Sequence, residues 1–473
     1  MQTRYVQLKT ALIIFPAVFL STQLAGQDQT NTKTISYQDI AKQIVNTALR
    51  EGKAYEMLVD LTKLGPRLSG SSQAASAVEL TRQMMQQLSF DNVRLQPVMA
   101  PHWVRGPVEE ATVINSPALG NVSLTICALG GSIATPEMGV IGEVVEVKSF
   151  EELRALGKRA EGKIIFFNRA MDARLLDTFA AYGGAVNQRG NGAIEAAKVG
   201  GLAALVRSMT TRLDDVPHTG GMGYEDGVPK IPAVAISTLD AEMLSRLIAQ
   251  EKKVAIRLKL TCQTLPDAPS ANVMGEITGS EKPDEIIVVS GHLDSWDKGT
   301  GAHDDGAGCM QAIEAVRLLK VCGLKPKRTI RAVMFMNEEN GLAGGEEYAR
   351  EAAEKKIKHT AAMESDRGGF APRGFTVQAD SIIVNKISIW APLFAALGAD
   401  RIGPGGGGAD IWPLSRQRVP AIGLLPEAHR YFDYHHSDND TIDKVNEREL
   451  ELGAAAMAIM AYLISEEFLS VGE

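Results

Sequence analysis

The part of the chain that follows Pro266 alternates between strand-like and helix-like segments, and this alternation limits the folds open to it. Short apolar runs are followed by longer segments in which apolar residues recur at helical spacing. The predicted order is strand, helix, strand, helix, strand, at Ile286–Ser290, Gly306–Leu319, Thr329–Met336, Leu342–Lys355 and His359–Met363. Strands separated by helices of this length form a mostly parallel sheet covered by helices on both faces, so we predict an α/β fold.

A second unit is expected because 473 residues exceed what one ordinary core accommodates. Between about Cys127 and Cys262 the sequence changes to short strands and helices without a cluster of histidines and carboxylates. Strands are predicted at 140–147, 163–168, 201–206 and 231–237, and helices at 193–200 and 238–250. We therefore predict a smaller α/β domain, residues 125–262, inserted into a larger domain of residues 36–124 and 263–473.

Residues 1–26 have the layout of a secretory signal peptide. A basic stretch precedes the apolar run Ala11–Leu20, and small and polar residues follow it. The run contains a proline and falls short of the roughly 20 residues that a membrane-spanning helix needs. We predict cleavage after Ala25 or Gly26 and a secreted or periplasmic protein without a membrane anchor once the signal is removed.

The charge of the chain argues against nucleic acid as a partner, and its cysteine content leaves the presence of disulfides open. Lys and Arg number 49 against 57 Asp and Glu, so a broad basic face for nucleic acid is not expected. The four cysteines are too scattered for a zinc ribbon or a disulfide scaffold, and a Cys127–Cys262 disulfide and buried free thiols both stay open. The oligomeric state stays open as well, with a homodimer as one alternative.

Histidines and carboxylates are concentrated where predicted strands end. Residues 291–308, GHLDSWDKGTGAHDDGAG, directly follow one strand and contain His292, Asp294, Asp304 and Asp305. The other clusters are Asn337-Glu338-Glu339, Glu364-Ser365-Asp366 and His435-His436-Ser437. Sites of parallel sheets lie at the carboxyl ends of the strands, so we expect these clusters to form one pocket. Imidazoles and carboxylates are the ligands that borderline and hard divalent cations prefer, which predicts a metal site.

Five motifs stand in the order seen in the M28 family of zinc exopeptidases: GHLDSW, HDDGAG, FMNEENGLAGGEEYA, ESD and HHSDNDT. One such motif would be weak support, whereas five in order are strong support. The chain resembles this family over most of its length, and its inserted segment resembles the family's protease-associated domain. GGGGADIWPL before VPAIGLL is similar to the branch that contains plasma glutamate carboxypeptidase. The resemblance implies a zinc exopeptidase fold and a peptide or dipeptide substrate.

The resemblance also implies two zinc ions held by five ligands. These are His292 and Asp366 for one ion, Glu339 and His436 for the other, and Asp304 for both. Two zinc ions roughly 3.5 to 4 Å apart lower the pKa of a bridging water and polarise the scissile carbonyl. Neighbouring residues at a strand end point in different directions, so Glu339 can coordinate while Glu338 faces the water as general base. The implied activity is hydrolysis of N-terminal peptide bonds or of dipeptides by an exported enzyme.

Four further residues are given supporting roles. By resemblance, Asp294 hydrogen-bonds the imidazole two residues before it, and a loop-capping role is the alternative. Asp305 organises the backbone beside Asp304, and the family suggests a cis peptide between the two. His435 holds the substrate or stabilises an oxyanion, with plain packing as the alternative. Asp410, after four glycines, is expected to cap the next helix, and holding its loop over the cleft is the alternative.

Two other functions stay open. Glutaminyl cyclases share this fold and use a single zinc ion, so a cyclase-like transferase would not need all five ligands. Protease-associated domains also occur on receptors whose peptidase fold has lost its activity, which makes a non-catalytic binding protein the alternative from another class. Each proposed ligand position holds a residue that is able to coordinate, which favours the enzyme.

Overall fold

The computed structural model describes residues 37–467, so the predicted signal peptide at 1–26 lies outside the described residues. The strands, in chain order, are β1 Asp91–Val104, β2 Glu109–Ser116, β3 Gly120–Leu124, β4 Ile126–Ala128, β5 Val140–Val147, β6 Ile164–Phe167, β7 Ala203–Arg207, β8 Ala233–Ile236, β9 Ala255–Leu260, β10 Gln263–Ile277, β11 Lys282–His292, β12 Arg328–Phe335, β13 Lys358–Glu364, β14 Pro372–Gln378, β15 Arg401–Pro404 and β16 Ala421–Pro426.

The helices, in chain order, are α1 37–51, α2 Ala54–Thr62, α3 Ser72–Gln87, α4 Phe150–Leu156, α5 Thr178–Ala185, α6 Asn187–Lys198, α7 Thr238–Gln250, α8 Ala307–Val321, α9 Ala343–Glu354, α10 Ser381–Ser388, α11 Ala391–Phe394, α12 Trp412–Ser415 and α13 Glu447–Glu466. Helix α3 begins where Ser71 accepts the N–H of Ala74 at 3.0 Å, an ordinary serine cap. Among residues 37–467, no helix is both long and apolar enough to cross a membrane.

The first sheet has the strand order β1-β10-β12-β11-β13-β16-β14-β15. Its central strands β12, β11, β13 and β16 are parallel, and β14 pairs in parallel with β15. The pairings β1-β10, β10-β12 and β14-β16 are antiparallel. The predicted α/β fold is confirmed, but parallel pairing dominates only at the centre of a mixed sheet. The antiparallel strands pair with partners that the local alternation of strands and helices does not identify.

Both faces of this sheet are covered, as the side chains of β11 show. Ile287 and Val289 belong to the larger core, which includes residues of α2, α3, α8 and α13. Ile286 and Val288 point to the opposite core, which includes residues of α9 and α12. Successive side chains of a strand alternate between faces, so a strand buried on both faces must be apolar throughout. This explains the uninterrupted apolar run that marks β11 in the sequence.

A second sheet, in the order β3-β2-β9-β5-β6-β7-β8-β4, lies between Glu109 and Leu260. The long strands β1 and β10 pair antiparallel and connect it to the first sheet. The sequence prediction assigned residues up to 124 to the larger domain, whereas β2 and β3 belong to the second sheet. The reason is the pairing of β2 with β9, which brings Val113 opposite Ile256 across a long stretch of chain.

The four cysteines are free thiols.

Candidate metal centre

The predicted ligand clusters lie at one edge of the first sheet. Strand β11 ends at His292, and Glu338 follows the end of β12. Asp366 follows β13, which pairs in parallel with β11. Because parallel strands end on the same side of a sheet, their following residues converge there. Asp304 joins them from the turn before α8, and His436 from the segment after β16.

Asp304 lies at the centre of this cluster. Its Oδ1 is 3.3 Å from Nε2 of His292, and its Oδ2 is 3.2 Å from Nε2 of His436. Nε2 of His292 is also 3.5 Å from Oδ1 of Asp366, and Nε2 of His436 is 3.0 Å from Oε2 of Glu339. Each imidazole therefore faces two carboxylates, and one carboxylate is common to both imidazoles.

The cluster is buried and its polar atoms are incompletely satisfied. The side chains of His292, Asp304, Glu339 and His436 are between 1% and 8% exposed. Nε2 of His292 and Oδ2 of Asp304 make no hydrogen bond with any described residue. Buried polar atoms are normally paired, so unpaired imidazole and carboxylate atoms that face one another indicate room for a cation. This donor set of nitrogen and oxygen atoms fits zinc.

Burial and mutual charge separate the pKa values of the carboxyl groups. Burial raises the pKa of Glu338 well above its ordinary value, and neighbouring carboxylates add to the effect. Burial and the charge of Asp304 raise the pKa of Glu339 to about 7. Asp304 behaves in the opposite way. Burial alone would raise its pKa, but the facing imidazoles of His292 and His436 hold its pKa well below the ordinary value. Asp304 thus stays ionised, while Glu338 takes up a proton readily.

The side chain of Asp294 supports the turn that carries the two glutamates. Nδ1 of His292 is 3.1 Å from the backbone oxygen of Asp294 and 3.8 Å from its Oδ1. The carboxylate accepts four hydrogen bonds, from the N–H groups of Asn337, Glu338 and Glu339 at 2.7, 3.0 and 3.3 Å and from the hydroxyl of Ser69 at 3.0 Å. The predicted contact with the imidazole is therefore made by the main chain, and the carboxylate instead orients Glu338 and Glu339.

Asp305 organises the backbone around the neighbouring His292 and Asp304. Its Oδ2 accepts the N–H of His292 and its Oδ1 accepts the N–H of Gly308, both at 3.0 Å. The peptide bond between Asp304 and Asp305 is cis. These contacts join the end of β11 to the start of α8, the two elements that carry His292 and Asp304.

The two adjacent histidines differ in what they face. Their rings stack with centroids 3.4 Å apart, and Nε2 of His435 lies 3.7 Å from Oδ2 of Asp304. Of the two, His436 also contacts Glu339. Burial and the adjacent His436 lower the pKa of His435 well below its ordinary value, which favours the neutral ring. His435 packs against aromatic rings, namely Tyr182, Tyr431 and Phe432.

Comparison with known proteins agrees with this geometry. Residues 272–461 match the model of peptidase family M28. Human carboxypeptidase Q is 39% identical over 436 residues, which cover 90% of this chain and 89% of the human protein. The chain belongs to peptidase family M28. The predicted resemblance is confirmed, and so is the expectation of a metallo-exopeptidase.

Solved structures agree with this assignment. An M28 peptidase precursor from Shewanella amazonensis superimposes with a TM-score of 0.87 at 36% identity, covering 91% of this chain and 97% of its own. A zinc aminopeptidase from Bacillus subtilis shares the fold, with a TM-score of 0.63 at 21% identity and coverage of 87% and 94%.

Three residues of the second sheet unit contact the candidate metal centre of this M28 peptidase, through a backbone N–H or a side chain, and none of them was predicted. The N–H of Thr219 donates to the backbone oxygen of His436 at 2.9 Å, and Nδ1 of His218 is 2.7 Å from that of His435. A guanidinium nitrogen of Arg189 lies 3.4 Å from Nδ1 of His436. Arg189 is buried and forms no ion pair with a carboxylate among residues 37–467. These residues are isolated in their segments, so no local pattern identifies them.

Two further residues that sequence reasoning missed hold the loop between the candidate ligands His292 and Asp304. Arg67 is fully buried and donates to the backbone oxygens of the loop, at Leu293, Thr300 and Gly301, over 2.6 to 3.0 Å. Asp440 accepts the N–H groups of 303 and 304 at 2.7 and 3.1 Å. Both residues stand inside conspicuous sequence motifs, LGPRLSG and HHSDNDT, and that was the available signal.

Asp410 does not cap the following helix, so that prediction is wrong. Helix α12 begins at Trp412 without a side-chain cap. Both carboxylate oxygens of Asp410 are buried and make no hydrogen bond within the described part of the chain. Burial and the nearby Glu364 raise the pKa of Asp410 well above its ordinary value. Glu364 itself accepts the N–H groups of Asp410 and Ile411, at 3.4 and 3.0 Å, and so fixes the glycine-rich loop.

Proposed function

We propose that this M28 peptidase is an exported dizinc exopeptidase that hydrolyses N-terminal peptide bonds, above all those of dipeptides, with Glu338 as general base. The position of Asp304 carries the proposal. One carboxylate oxygen faces His292 and the other faces His436, at 3.3 and 3.2 Å. A carboxylate that faces two separate imidazoles in a buried site is suited to bind two cations at once.

The proposed ligands divide into two sets that share Asp304. They are His292 and Asp366 on one side, and Glu339 and His436 on the other. Two bound zinc ions supply Lewis acidity that polarises the scissile carbonyl and acidifies the attacking water. Asp294 and Asp305 hold the ligands through the backbone, the kind of support on which metal affinity depends.

Glu338 moves the proton. Its backbone is fixed by Asp294, and its carboxyl group lies beside Glu339 at the open side of the cluster. In the proposed step, Glu338 accepts a proton from water while the water oxygen bonds to the carbonyl carbon. As the C–N bond breaks, Glu338 returns the proton to the leaving nitrogen, which departs as an amine. The raised pKa of Glu338 favours the first half of this transfer, the acceptance of the proton from water.

Arg189 favours a short substrate with a free carboxylate. A buried guanidinium without a carboxylate partner is costly unless a ligand supplies the anion. Arg189 lies 3.4 Å from the proposed ligand His436, which is close to the scissile bond. The relatives are named both carboxypeptidase and aminopeptidase. A dipeptide agrees with both names, because its first peptide bond is also its last.

The remaining proposals concern the whole chain. We propose that residues 125–262, extended by β2 and β3 of the same sheet, form a protease-associated domain inserted into the catalytic domain that the rest of 36–124 and residues 263–473 form. The second sheet and its contacts with His435 and His436 support a role in closing one side of the cleft. The layout of residues 1–26 supports a signal peptide and export to a secreted or periplasmic location.

The decisive experiment compares the wild-type protein with Glu338→Gln. The variant should bind the same amount of zinc, because Glu338 is not a proposed ligand, and should lose nearly all hydrolysis of free dipeptides. Zinc per chain is measured by elemental analysis, and hydrolysis by amine release with and without chelator.

Full turnover by Glu338→Gln would contradict the assignment of the base. One zinc ion per chain together with cyclisation of N-terminal glutamine would favour the cyclase alternative. Among substrates, dipeptides with a blocked carboxylate should be poorer than free ones. Equal cleavage of both would contradict the role of Arg189.

A further inference from the structure

A cleft of about 460 Å³ opens beside Glu338 and Glu339, between the two sheets. One wall comes from the crossing strands and includes His102, Trp103 and Thr264. The opposite wall comes from the second sheet unit and consists mainly of glycines, namely Gly130, Gly131, Gly190, Gly221 and Gly223. The volume of the cleft is within the range of ordinary small-ligand sites, which is roughly 300 to 1,000 Å³.

Backbone hydrogen bonds hold the glycine wall together. The N–H of Met222 donates to the oxygen of Gly130 at 3.0 Å, and the N–H of Gly223 donates to the oxygen of Gly190 at 3.1 Å. Three separate segments of the second sheet unit are joined in this way. The wall is therefore formed before any ligand binds.

The glycines of this wall serve two different purposes. A Cβ atom on Gly130 would lie 1.8 Å from the ring of Trp296, so packing requires glycine there. A Cβ atom on Gly190 or Gly223 would meet no heavy atom within 4 Å. Packing does not demand glycine at these two positions, and neither has a positive φ that would demand it. Their effect is to keep space free in the cleft.

The residues that line the cleft disfavour a charged side chain on the substrate. Among the described residues that line the cleft, none is a lysine or an arginine, and the carboxylates are Glu338 and Glu339. An acidic side chain would lie beside those two carboxylates, no lysine or arginine of the described chain lines the cleft to pair with it, and the adjacent Arg189 is taken by the substrate's own carboxylate in the proposed function. A basic side chain would lose its hydration next to glutamates that the proposed function already engages as base and ligand. A large uncharged side chain can pack between Trp103, Met222 and the glycine backbone.

We infer that this cleft binds the side chain of the C-terminal residue of a dipeptide and prefers a large, uncharged one, such as phenylalanine, leucine or methionine. This inference rests on the proposed function. Gly190 follows Arg189 directly in helix α6, so the cleft adjoins the proposed partner of the substrate carboxylate. A carboxylate and a side chain that share one Cα atom fit two adjacent sites of this kind.

The test uses the zinc-loaded enzyme and two series of free dipeptides, Ala-X and X-Ala, in which X is alanine, leucine, phenylalanine, aspartate or lysine. For the wild-type enzyme, kcat/KM should be at least about tenfold higher for Ala-Phe than for Ala-Ala, as expected for a pocket that holds an apolar side chain. Ala-Asp should be the poorest substrate.

A leucine side chain that fills the cleft should abolish this preference. Gly223→Leu should lower the ratio of kcat/KM for Ala-Phe to that for Ala-Ala by about tenfold or more. Gly184→Leu is the matched control, because a Cβ atom there also meets nothing within 4 Å and Gly184 lies exposed on helix α5, outside the cleft. That control should keep the wild-type ratio.

The outcomes separate this inference from the proposed function. Wild-type enzyme that cleaves dipeptides without regard to the C-terminal side chain would overturn the inference alone. An equal fall in kcat/KM for Ala-Phe and for Ala-Ala in Gly223→Leu would also overturn the inference. A change of side-chain preference that is confined to the X-Ala series would do the same. Failure of the wild-type enzyme to cleave any dipeptide would overturn the proposed function and the inference together.

Discussion

The buried carboxylate of Asp294 offers a sharp test of how the glutamates of the site are positioned. It is fully buried, and it accepts two N–H groups on Oδ1 and one N–H group and the Ser69 hydroxyl on Oδ2. In Asp294→Asn, the amide oxygen can take the place of Oδ1 and keep the shorter bonds from Asn337 and Glu338. The amide nitrogen then replaces Oδ2 and faces the N–H of Glu339, so two donors oppose each other.

The expected magnitude follows from these contacts. The Ser69 hydroxyl can rotate and accept from the new amide, so its bond survives in reversed direction. The N–H of Glu339 loses a charged acceptor, and a hydrogen bond to a charged group contributes about 1.5 to 3 kcal/mol. We expect Asp294→Asn to lower the free energy of unfolding by about 2 kcal/mol. Since Glu338 and Glu339 lose their fixed direction, kcat/KM and zinc affinity should fall about 10- to 100-fold.

Urea unfolding of the zinc-loaded protein, zinc competition with a chelator, and dipeptide hydrolysis measure these three quantities. Ser69→Ala is the matched control, because it removes one hydrogen bond to the same carboxylate and leaves the three backbone donors in place. Its activity should stay near wild type. An Asp294→Asn variant that changes the unfolding free energy by less than about 0.5 kcal/mol, the size of an ordinary surface substitution, and keeps full activity would refute this role of Asp294.

Two further predictions concern the second sheet unit and the protein's response to pH. Gly220→Ala would press a Cβ atom against the guanidinium of Arg189 and place it 2.7 Å from Nδ1 of His436, so it should reduce activity about 100-fold, the effect of a misplacement of about 1 Å. Gly227→Ala also forces an alanine into a positive φ, +82° against +132° at Gly220, but its Cβ atom meets nothing within 4 Å, so it should cost about 1 kcal/mol of stability and no activity. Burial and a neighbouring carboxylate raise the pKa of Glu451 from 4.5 to about 8. Between these two pH values the folded state keeps a proton that the unfolded state releases. The free energy of unfolding should therefore fall as the pH rises from 4.5 to about 8. Glu451→Gln keeps the acceptor for Tyr55 and should remove this fall in urea unfolding measured across the same window, whereas an unchanged pH dependence would contradict the assignment.

Local pattern was enough to predict most of the elements that carry the site. Strand β5 and helix α7 were predicted at the residues where they occur, and β11, β12 and β13 within a few residues. Buried strands and amphipathic helices can be recognised in a sequence because their apolar residues form runs or recur at a regular spacing. The membership of β2 in the second sheet could not be predicted in this way, because its partner β9 lies far along the chain.

The site shows the same division. His292, Asp304 and Asp366 were identifiable because carboxylates and imidazoles followed predicted strands, and parallel strands end on one side. The partners of the Asp294 carboxylate could not be predicted from the sequence. The imidazole of His292 lies two residues away in the chain, whereas the turn at 337–339 that the carboxylate binds is distant in the chain and comes near only in the fold. Asp410 was misjudged for a related reason: the sequence identifies a residue before a helix but not the direction of its side chain.

The chemistry of this chain can be inferred from its sequence. The order and spacing of its histidines and carboxylates, at the ends of apolar strands, specify a peptidase of family M28 with a candidate metal centre. How that centre is completed depends on the packing of the two sheets. Arg189 and Thr219 reach His436, and the glycine wall faces Glu338, because the second sheet folds against the first. Such contacts join residues distant in the chain, and no local periodicity records them.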